Sequence, residues 1–335
     1  MRNQLFLPVN EPSQVGDARR KTVELAKRLG GNEAWVEKAA IVVTELATNL
    51  VKHAGGGSVL VQAVRQHVNG LELIALDKGP GIANIAECFR DGYSTVGSPG
   101  QGLGAVKRLA SSFELYSQPG AGTVQFAQLW EQPVEPNVPG QQFRVSGICQ
   151  PKRGEFISGD AWAAIEHAGR NLLLVADGLG HGPDAAVAAR EAVRIFEANA
   201  TLGPAQLLEL IHLALRPTRG AAVAIAEILI GQQQVKYAGI GNISGSVISP
   251  PNHMRHMVSH NGVAGHEARK FQEFSYPWTQ EASLVLHSDG LNTRFRTEAY
   301  PGLTVRHPGI LAGVLFRDFD RKTDDATVVV AKESV

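Results

Sequence analysis

The chain has 335 residues, 44% of them hydrophobic and 19% charged, which is the profile of a globular protein and not of a disordered one. That length exceeds one ordinary core and suits two domains of about 100–200 residues each. Lys and Arg total 32 and Asp and Glu total 32, so the formal net charge is zero; this argues against a protein built to grip bulk nucleic acid or an anionic membrane. Two cysteines, Cys88 and Cys149, share no CxxC spacing and make no disulfide framework. The histidines around His253 to His260, and His287, lack the spacing of a zinc site. The opening segment MRNQLFLPVNEPSQ has no signal-like apolar core, and no run reaches the ~18 apolar residues of a membrane span. The expected location is the cytoplasm.

In chain order, Ser13 to Leu29 reads as a helix closed by Gly30-Gly31. Asn32 is placed to cap a second helix running to about Ala54, because Val36, Ala39, Ala40, Val43, Leu46, Ala47, Leu50 and Val51 recur at helical spacing. Strands are expected near Val59–Val64 and Leu71–Leu76. A second helix pair follows, then strands at Phe113–Ser117 and Thr123–Leu129. This order describes helices on one face of a mostly antiparallel sheet. The segment EQPVEPNVPGQQ, Glu131 to Gln142, carries three prolines and no apolar periodicity, so it divides the chain into domains over 1–130 and 143–335.

The second half opens with strands near Phe143–Cys149, Ala161–Glu166 and Leu172–Ala176, then helices over Pro183–Asn199 and Pro204–Leu215. Strands follow at Ala221–Ile230, Gln234–Ile240, Ile243–Ser249 and Ser283–His287. A helix near Pro308–Phe319 and a strand at Thr327–Ala331 close the chain. The pattern predicts two packed sheets flanked by helices.

Three groups of residues in the first half point to chemistry. Glu45, Asn49 and His53 are spaced to line one edge of the second helix. Asp77-Lys78-Gly79-Pro80-Gly81-Ile82 ends an apolar strand, and Gly100-Gln101-Gly102-Leu103-Gly104 opens a helix. Taken together, in this order, they resemble the N box and the two glycine boxes of the GHKL ATPase/kinase superfamily. The matching stretches are ELATNLVKHA, DKGPGI and GQGLGAVKRLA. The resemblance implies an ATP-binding α/β sandwich of the Bergerat type over residues 1–130. It implies that Asn49 offers its amide oxygen to the Mg that accompanies ATP, a hard cation that takes oxygen ligands. It further implies that Asp77 reads the adenine amino group and that Gly79 and Gly81 let the backbone approach the base. Gly100, Gly102, Leu103 and Gly104 would place amides at the phosphates, and Glu45 would orient or deprotonate the attacking hydroxyl. The segment DGYSTVGSPGQGLGAVKRLASSFEL looks most like the small switch kinases of the RsbT type, which phosphorylate a serine or threonine on a STAS-domain partner. The chain departs from some relatives at Ser98-Pro99-Gly100-Gln101, where they carry a basic residue.

In the second half Asp160, Asp177-Gly178, Asp289-Gly290 and Asp324-Asp325 all sit at strand ends, and such carboxylates repel one another when gathered without compensation. With SGDAW, VADGLGHG, HSDGL and DDATVVV, they resemble the SpoIIE/RsbX branch of the PPM metal-dependent phosphatases. The resemblance implies an α-β-β-α sandwich holding two Mn or Mg ions. Asp160 and Asp177 would bridge them, Asp177 being the central catalytic carboxylate. The Gly178 carbonyl, Asp289 and Asp324 would complete the set, with Asp325 as the alternate for the last place. His181 is expected to be a local structural residue.

The fold class expected is therefore α+β. The function expected is a bifunctional bacterial signalling switch, an ATP-dependent serine/threonine kinase joined to a metal-dependent phosphoprotein phosphatase. Its expected partner is a STAS-domain regulator of the anti-sigma-antagonist type, within a sigma-regulatory complex, with no nucleic acid and no membrane. The competing reading makes the first domain an ATP- and partner-binding module without catalysis.

Overall fold

The computed structural model describes residues 4–65, 67–85, 102–133, 143–167 and 169–334. It divides into two compact units, Met1–Val138 and Pro139–Val335. Among the described residues no helix is long and apolar enough to cross a membrane.

The first unit starts with a strand that periodicity does not anticipate, β1 (Gln4–Val9). It lies at the sheet edge and pairs antiparallel with β2 (Gly57–Arg65), with Pro8 opposite Ser58. An edge is where a strand accommodates proline, whose missing N–H leaves a ladder bond unmade. Helix α1 (Pro12–Arg28) has proline in its first turn, and Gln14 Oε1 accepts from the Asn10 N–H at 2.6 Å. Helix α2 (Glu33–Asn49) is capped as expected, with Asn32 Oδ1 accepting from the Trp35 N–H at 2.9 Å. It does not continue as α-helix to Ala54: Leu50–Ala54 winds as a π turn.

The sheet continues with β3 (Asn69–Leu76), β4 (Ser112–Gln118) and β5 (Gly122–Trp130), in the order β1-β2-β3-β5-β4, every described pairing antiparallel. Of the second helix pair expected before β4, the described residues contain α3 (Gly102–Leu109). One sheet face, including Leu7, Val61, Leu73 and Leu129, packs against Leu25, Trp35, Val43 and Leu46 of the helices. Each such fully buried side chain contributes about 1.5–3 kcal/mol.

The second unit is a sandwich of two five-stranded sheets. Its strands are β6 (Phe143–Gln150), β7 (Asp160–His167), β8 (Arg170–Gly178), β9 (Ala221–Leu229), β10 (Gln234–Ile240), β11 (Ser244–Ser249), β12 (His253–His256), β13 (Phe274–Pro277), β14 (Ser283–His287) and β15 (Ala326–Glu333). The orders are β13-β10-β9-β8-β7 and β12-β11-β14-β15-β6. Leu173, Val175, Ala226 and Tyr237 of the first meet Val247, Leu284, Leu286 and Val329 of the second. Helices α4 (Pro183–Ala198) and α5 (Pro204–Leu215) cover the outer face of the first sheet, and α6 (Pro308–Phe319) packs on β15 and β6. The two short strands β12 and β13 sit at sheet edges. Both are largely exposed, so they lack the apolar alternation that makes a strand legible.

Candidate functional site

In the first unit Glu45 and Asn49 stand one turn apart on α2 and meet the start of α3. A Cβ built on Gly102 would lie 2.9 Å from Glu45 Oε2 and 3.9 Å from Asn49 Oδ1. Leu103 and Gly104 follow in the first turn of α3, where backbone N–H groups have no intrahelical partner. The carboxylate, the amide and these donors therefore share one place. Gly100 lies outside the described residues. His53 falls in the π turn and is exposed. The turn that carries His53 thus winds more widely than the α-helix that carries Glu45 and Asn49.

Asp77 follows the end of β3 and is nearly buried. Its Oδ1 accepts from the N–H groups of Gly79 at 2.9 Å and Thr123 at 3.0 Å. The loop after it is fastened to the β4–β5 hairpin: the Gly120 N–H donates to the Pro80 carbonyl at 2.7 Å, and the Ile82 N–H to Ser117 Oγ at 2.8 Å. Gly81 has φ +71, and a Cβ there would stand 2.1 Å from the Gln118 carbonyl oxygen, so only glycine fits. Ser117 and Thr123 carry no motif signal; they reach the loop through strand pairing.

In the second unit the register gathers the acids at one end of the sandwich. Asp160 starts β7 and stands opposite Asp177 near the end of β8. Asp289 follows β14, and Asp324-Asp325 precede β15, its partner. Ser288 joins the two sheets: its Oγ donates to Asp160 Oδ2 at 2.7 Å and accepts from the Thr327 N–H at 2.9 Å. Gly178 packs so closely on the start of α4 that a Cβ would meet the Ala185 carbonyl oxygen at 2.0 Å. Asp177, Asp289 and Asp324 line a cavity of about 500 Å³ together with Leu179, His181 and Asn242.

Burial raises the Asp160 and Asp177 carboxyls well above the ordinary range, and the neighbouring acids push the same way; Asp160 acts most on Asp177, followed by Asp289, Asp324 and Asp325. Asp289 is raised by burial and by Asp324, against the Arg321 charge and the Asn242 amide, which donates to its Oδ2 at 2.7 Å. Asp160 Oδ1 is buried with no hydrogen-bond partner among the described residues. As the side chains stand, no three His, Cys, Asp or Glu of the described residues close into a metal cage. The orphaned oxygen, the mutual repulsion and an all-oxygen donor set nevertheless fit a hard divalent cation such as Mg or Mn.

The two candidates for the last acidic place differ in their duties. Asp325 Oδ1 accepts from the Lys152 N–H at 2.8 Å, and its Oδ2 from the Gly159 N–H at 3.0 Å. Both oxygens are occupied in holding the loop before β7, whereas Asp324 is exposed and faces the cavity. Asp325→Asn is expected to cost stability, about 1–3 kcal/mol for an amide left facing a donor, read by urea denaturation. Asp324→Asn is expected to leave the urea midpoint in place and to lower Mn-dependent phosphate hydrolysis. The converse pattern would exchange their assignments.

Comparison with known proteins follows the same division. Residues 9–127 match the family model of the histidine kinase-like ATPase domain, and residues 167–333 that of stage II sporulation protein E, SpoIIE. The serine/threonine-protein kinase RsbT of Bacillus subtilis (strain 168) is 39% identical over 131 residues, 39% of this chain and 98% of that protein. The amino-terminal unit belongs to the RsbT-type histidine kinase-like ATPases. The phosphoserine phosphatase RsbX of the same organism is 26% identical over 141 residues, 42% of this chain and 71% of that protein. A crystal structure of RsbX in complex with magnesium superposes with a TM-score of 0.52 at 22% identity, covering 60% of this chain and 99% of that one. The second unit is a SpoIIE-type PPM phosphatase domain.

The SpoIIE match begins at residue 167, beyond Asp160, so Asp160 joins the acids through its pairing with Asp177. Three residues of the SpoIIE-type domain that motif reading does not single out shape its site: Ser288, Asn242 and Glu155. Ser288 sits inside HSDGL and Asn242 in the Gly241-Asn242 turn after β10, local signals that point to a loop and not to a contact. Glu155 Oε1 lies 2.8 Å from His181 Nδ1, which makes His181 half of a pair bracing two loops.

Proposed function

We propose that this chain is a two-way phosphorylation switch. The RsbT-type unit transfers the γ-phosphoryl group of ATP to a serine or threonine of a STAS-domain regulator, and the SpoIIE-type unit hydrolyses the phosphoester it makes. The observation that supports this best is the convergence of Asp160, Asp177, Asp289 and Asp324 at one end of a sandwich, in the same chain as Glu45 and Asn49 beside the α3 terminus.

In the first unit Asn49 would hold Mg-ATP through its amide oxygen, and Asp77 would accept the adenine amino proton. Gly79 and Gly81 let the loop lie against the base, and Gly100, Gly102, Leu103 and Gly104 offer amides to the phosphates. Glu45 takes the proton from the attacking hydroxyl as the oxygen bonds to phosphorus and ADP leaves. In the second unit Asp160, Asp177, Asp289, Asp324 and the Gly178 carbonyl would hold two Mn or Mg ions, and Asp325 fixes the loop that carries Asp160. Bound there, the ions supply Lewis-acid activation of a water and of the phosphoryl oxygens. Asn242 orients Asp289, and Ser288 orients Asp160.

The linker expected at 131–142 lies, from residue 134 on, outside the described residues; carried on one polypeptide, the two units would meet a partner bound by either at raised effective concentration. The test uses one purified STAS protein with ATP and Mn. Asp177→Asn is expected to accumulate phosphoprotein, and Glu45→Ala to remove phosphate from protein phosphorylated beforehand. Accumulation by neither variant, with ATP still bound, would leave the first unit a binding module. Modification of different residues by the two units would end the single-switch reading.

A further inference from the structure

Phe156 is 99% exposed, and Leu179 is 54% exposed. They stand on two neighbouring loops, of which the second lines the acidic cavity. The first joins β6 to β7 and the second joins β8 to α4. Glu155 Oε1 pairs with His181 Nδ1 at 2.8 Å, the Gly178 N–H donates to the Gly159 carbonyl at 3.1 Å, and a Cβ on Gly182 would stand 3.2 Å from Glu155 Oε2. Leu179, Gly180 and His181 line the cavity itself. The Phe156 loop is also held at both ends by Asp325, through the N–H groups of Lys152 and Gly159. The aromatic ring is thus presented to solvent by a braced loop, and not by a chain end.

An apolar side chain on the cavity's own wall, Leu179, and a second on the loop braced against it, Phe156, are placed to meet what continues outward from a group seated in the cavity. When a phosphoryl group sits among the acids, the residues next to the phosphorylated one reach the rim, since successive Cα atoms are about 3.8 Å apart. We propose that Phe156 and Leu179 form an apolar subsite for the residues flanking the phosphorylated serine or threonine, so that the SpoIIE-type unit selects phosphosites with apolar neighbours. The inference rests on the phosphatase reading above and adds its substrate selectivity. Continuity of the rim with the cavity favours a phosphoprotein as the occupant over a second copy of the chain.

The experiment uses the full chain with Mn and two phosphoserine peptides, identical except that leucine flanks the phosphoserine in one and glycine in the other. The wild type is expected to favour the leucine peptide by about tenfold in kcat/KM, the scale that apolar pocket contacts supply. Phe156→Ser is expected to bring that ratio close to one, and Phe156→Leu to keep most of it. Circular dichroism and p-nitrophenyl phosphate hydrolysis at the wild-type rate are expected to show that Phe156→Ser keeps its fold and its acidic site, so that the peptide ratio reads the subsite alone. Equal treatment of the two peptides by the wild type, or a ratio that survives Phe156→Ser, would overturn the subsite. If the wild type also fails to hydrolyse p-nitrophenyl phosphate with Mn, the phosphatase reading falls and the subsite with it; the small substrate tells the two failures apart.

Discussion

Asp177→Asn is expected to abolish phosphate hydrolysis and, in the same protein, to raise the stability of the metal-free second unit. The activity loss is expected to exceed about a hundredfold, since even outer partners of metal ligands cost 10–100-fold when removed. The stability gain has a separate origin. Asp160 and Asp177 are held above the ordinary carboxylate range first by burial; Asp160, Asp289, Asp324 and Asp325 add repulsion at Asp177, and Asp325 and Asp289 add it at Asp160. The folded protein therefore keeps protons that the unfolded chain releases. This stability is present below the unfolded carboxylate value of about 4 and is lost as pH rises through the raised folded values. Without metal, the wild type is expected to weaken from pH 5 to pH 9, and Mn is expected to restore it. The variant removes one of the charges, so its metal-free decline is shallower. At pH 8 its melting temperature is expected to stand above that of the wild type by roughly 2–4 °C, equivalent to about 1 kcal/mol in a unit of this size. Thermal melts in EDTA and in Mn across that range measure all three. A flat wild-type profile in EDTA would contradict the repulsive cluster, whatever the activity does.

Asn49→Ala is expected to remove Mg-dependent ATP binding with the fold intact. The side chain is half-buried beside Glu45 and the start of α3, and α2 is held by the deeper residues Val43, Leu46 and Ala47. Alanine is also a better helix former than asparagine. Calorimetry with Mg-ATP is expected to show a loss of more than tenfold in affinity, and circular dichroism an unchanged helix content. Asp77→Asn makes the complementary case. Asp77 Oδ1 accepts from the Gly79 and Thr123 N–H groups, so an asparagine keeps its oxygen there. Its amino group then faces the base, and a donor opposes the adenine amino donor. The expected loss is about 1–3 kcal/mol, or roughly 10–100-fold in affinity. Tight binding of Mg-ATP by both variants would remove the nucleotide from this site.

Much of both folds is legible along the chain. The caps at Asn32 and Gly30, the apolar period of α2, and the ranges Pro204–Leu215, Gln234–Ile240 and Pro308–Phe319 follow from local rules of propensity, capping and periodicity. The motif glycines are equally local. Gly81 is marked by its neighbours in DKGPGI, and its positive φ is the conformation such a turn needs. The edge strands β1, β12 and β13 are not legible, because proline and exposed polar residues hide the alternation, and pairing with a neighbour decides them. The π turn after Asn49 is likewise invisible to a 3.6-residue period.

The sequence by itself determined that four acidic points lie at strand ends and that Glu45, Asn49 and two glycine loops precede them. Only the tertiary structure decided which of those ends meet. Register sets Asp160 opposite Asp177, and a serine between the sheets ties Asp160 to the start of β15. It also separated Asp324, open to the cavity, from Asp325, whose two oxygens hold the neighbouring loop. Adjacent identical residues carry the same local signal. What distinguishes them is the direction a side chain takes from the strand and the amides that wait there, and those amides belong to residues 152 and 159, far back in the chain.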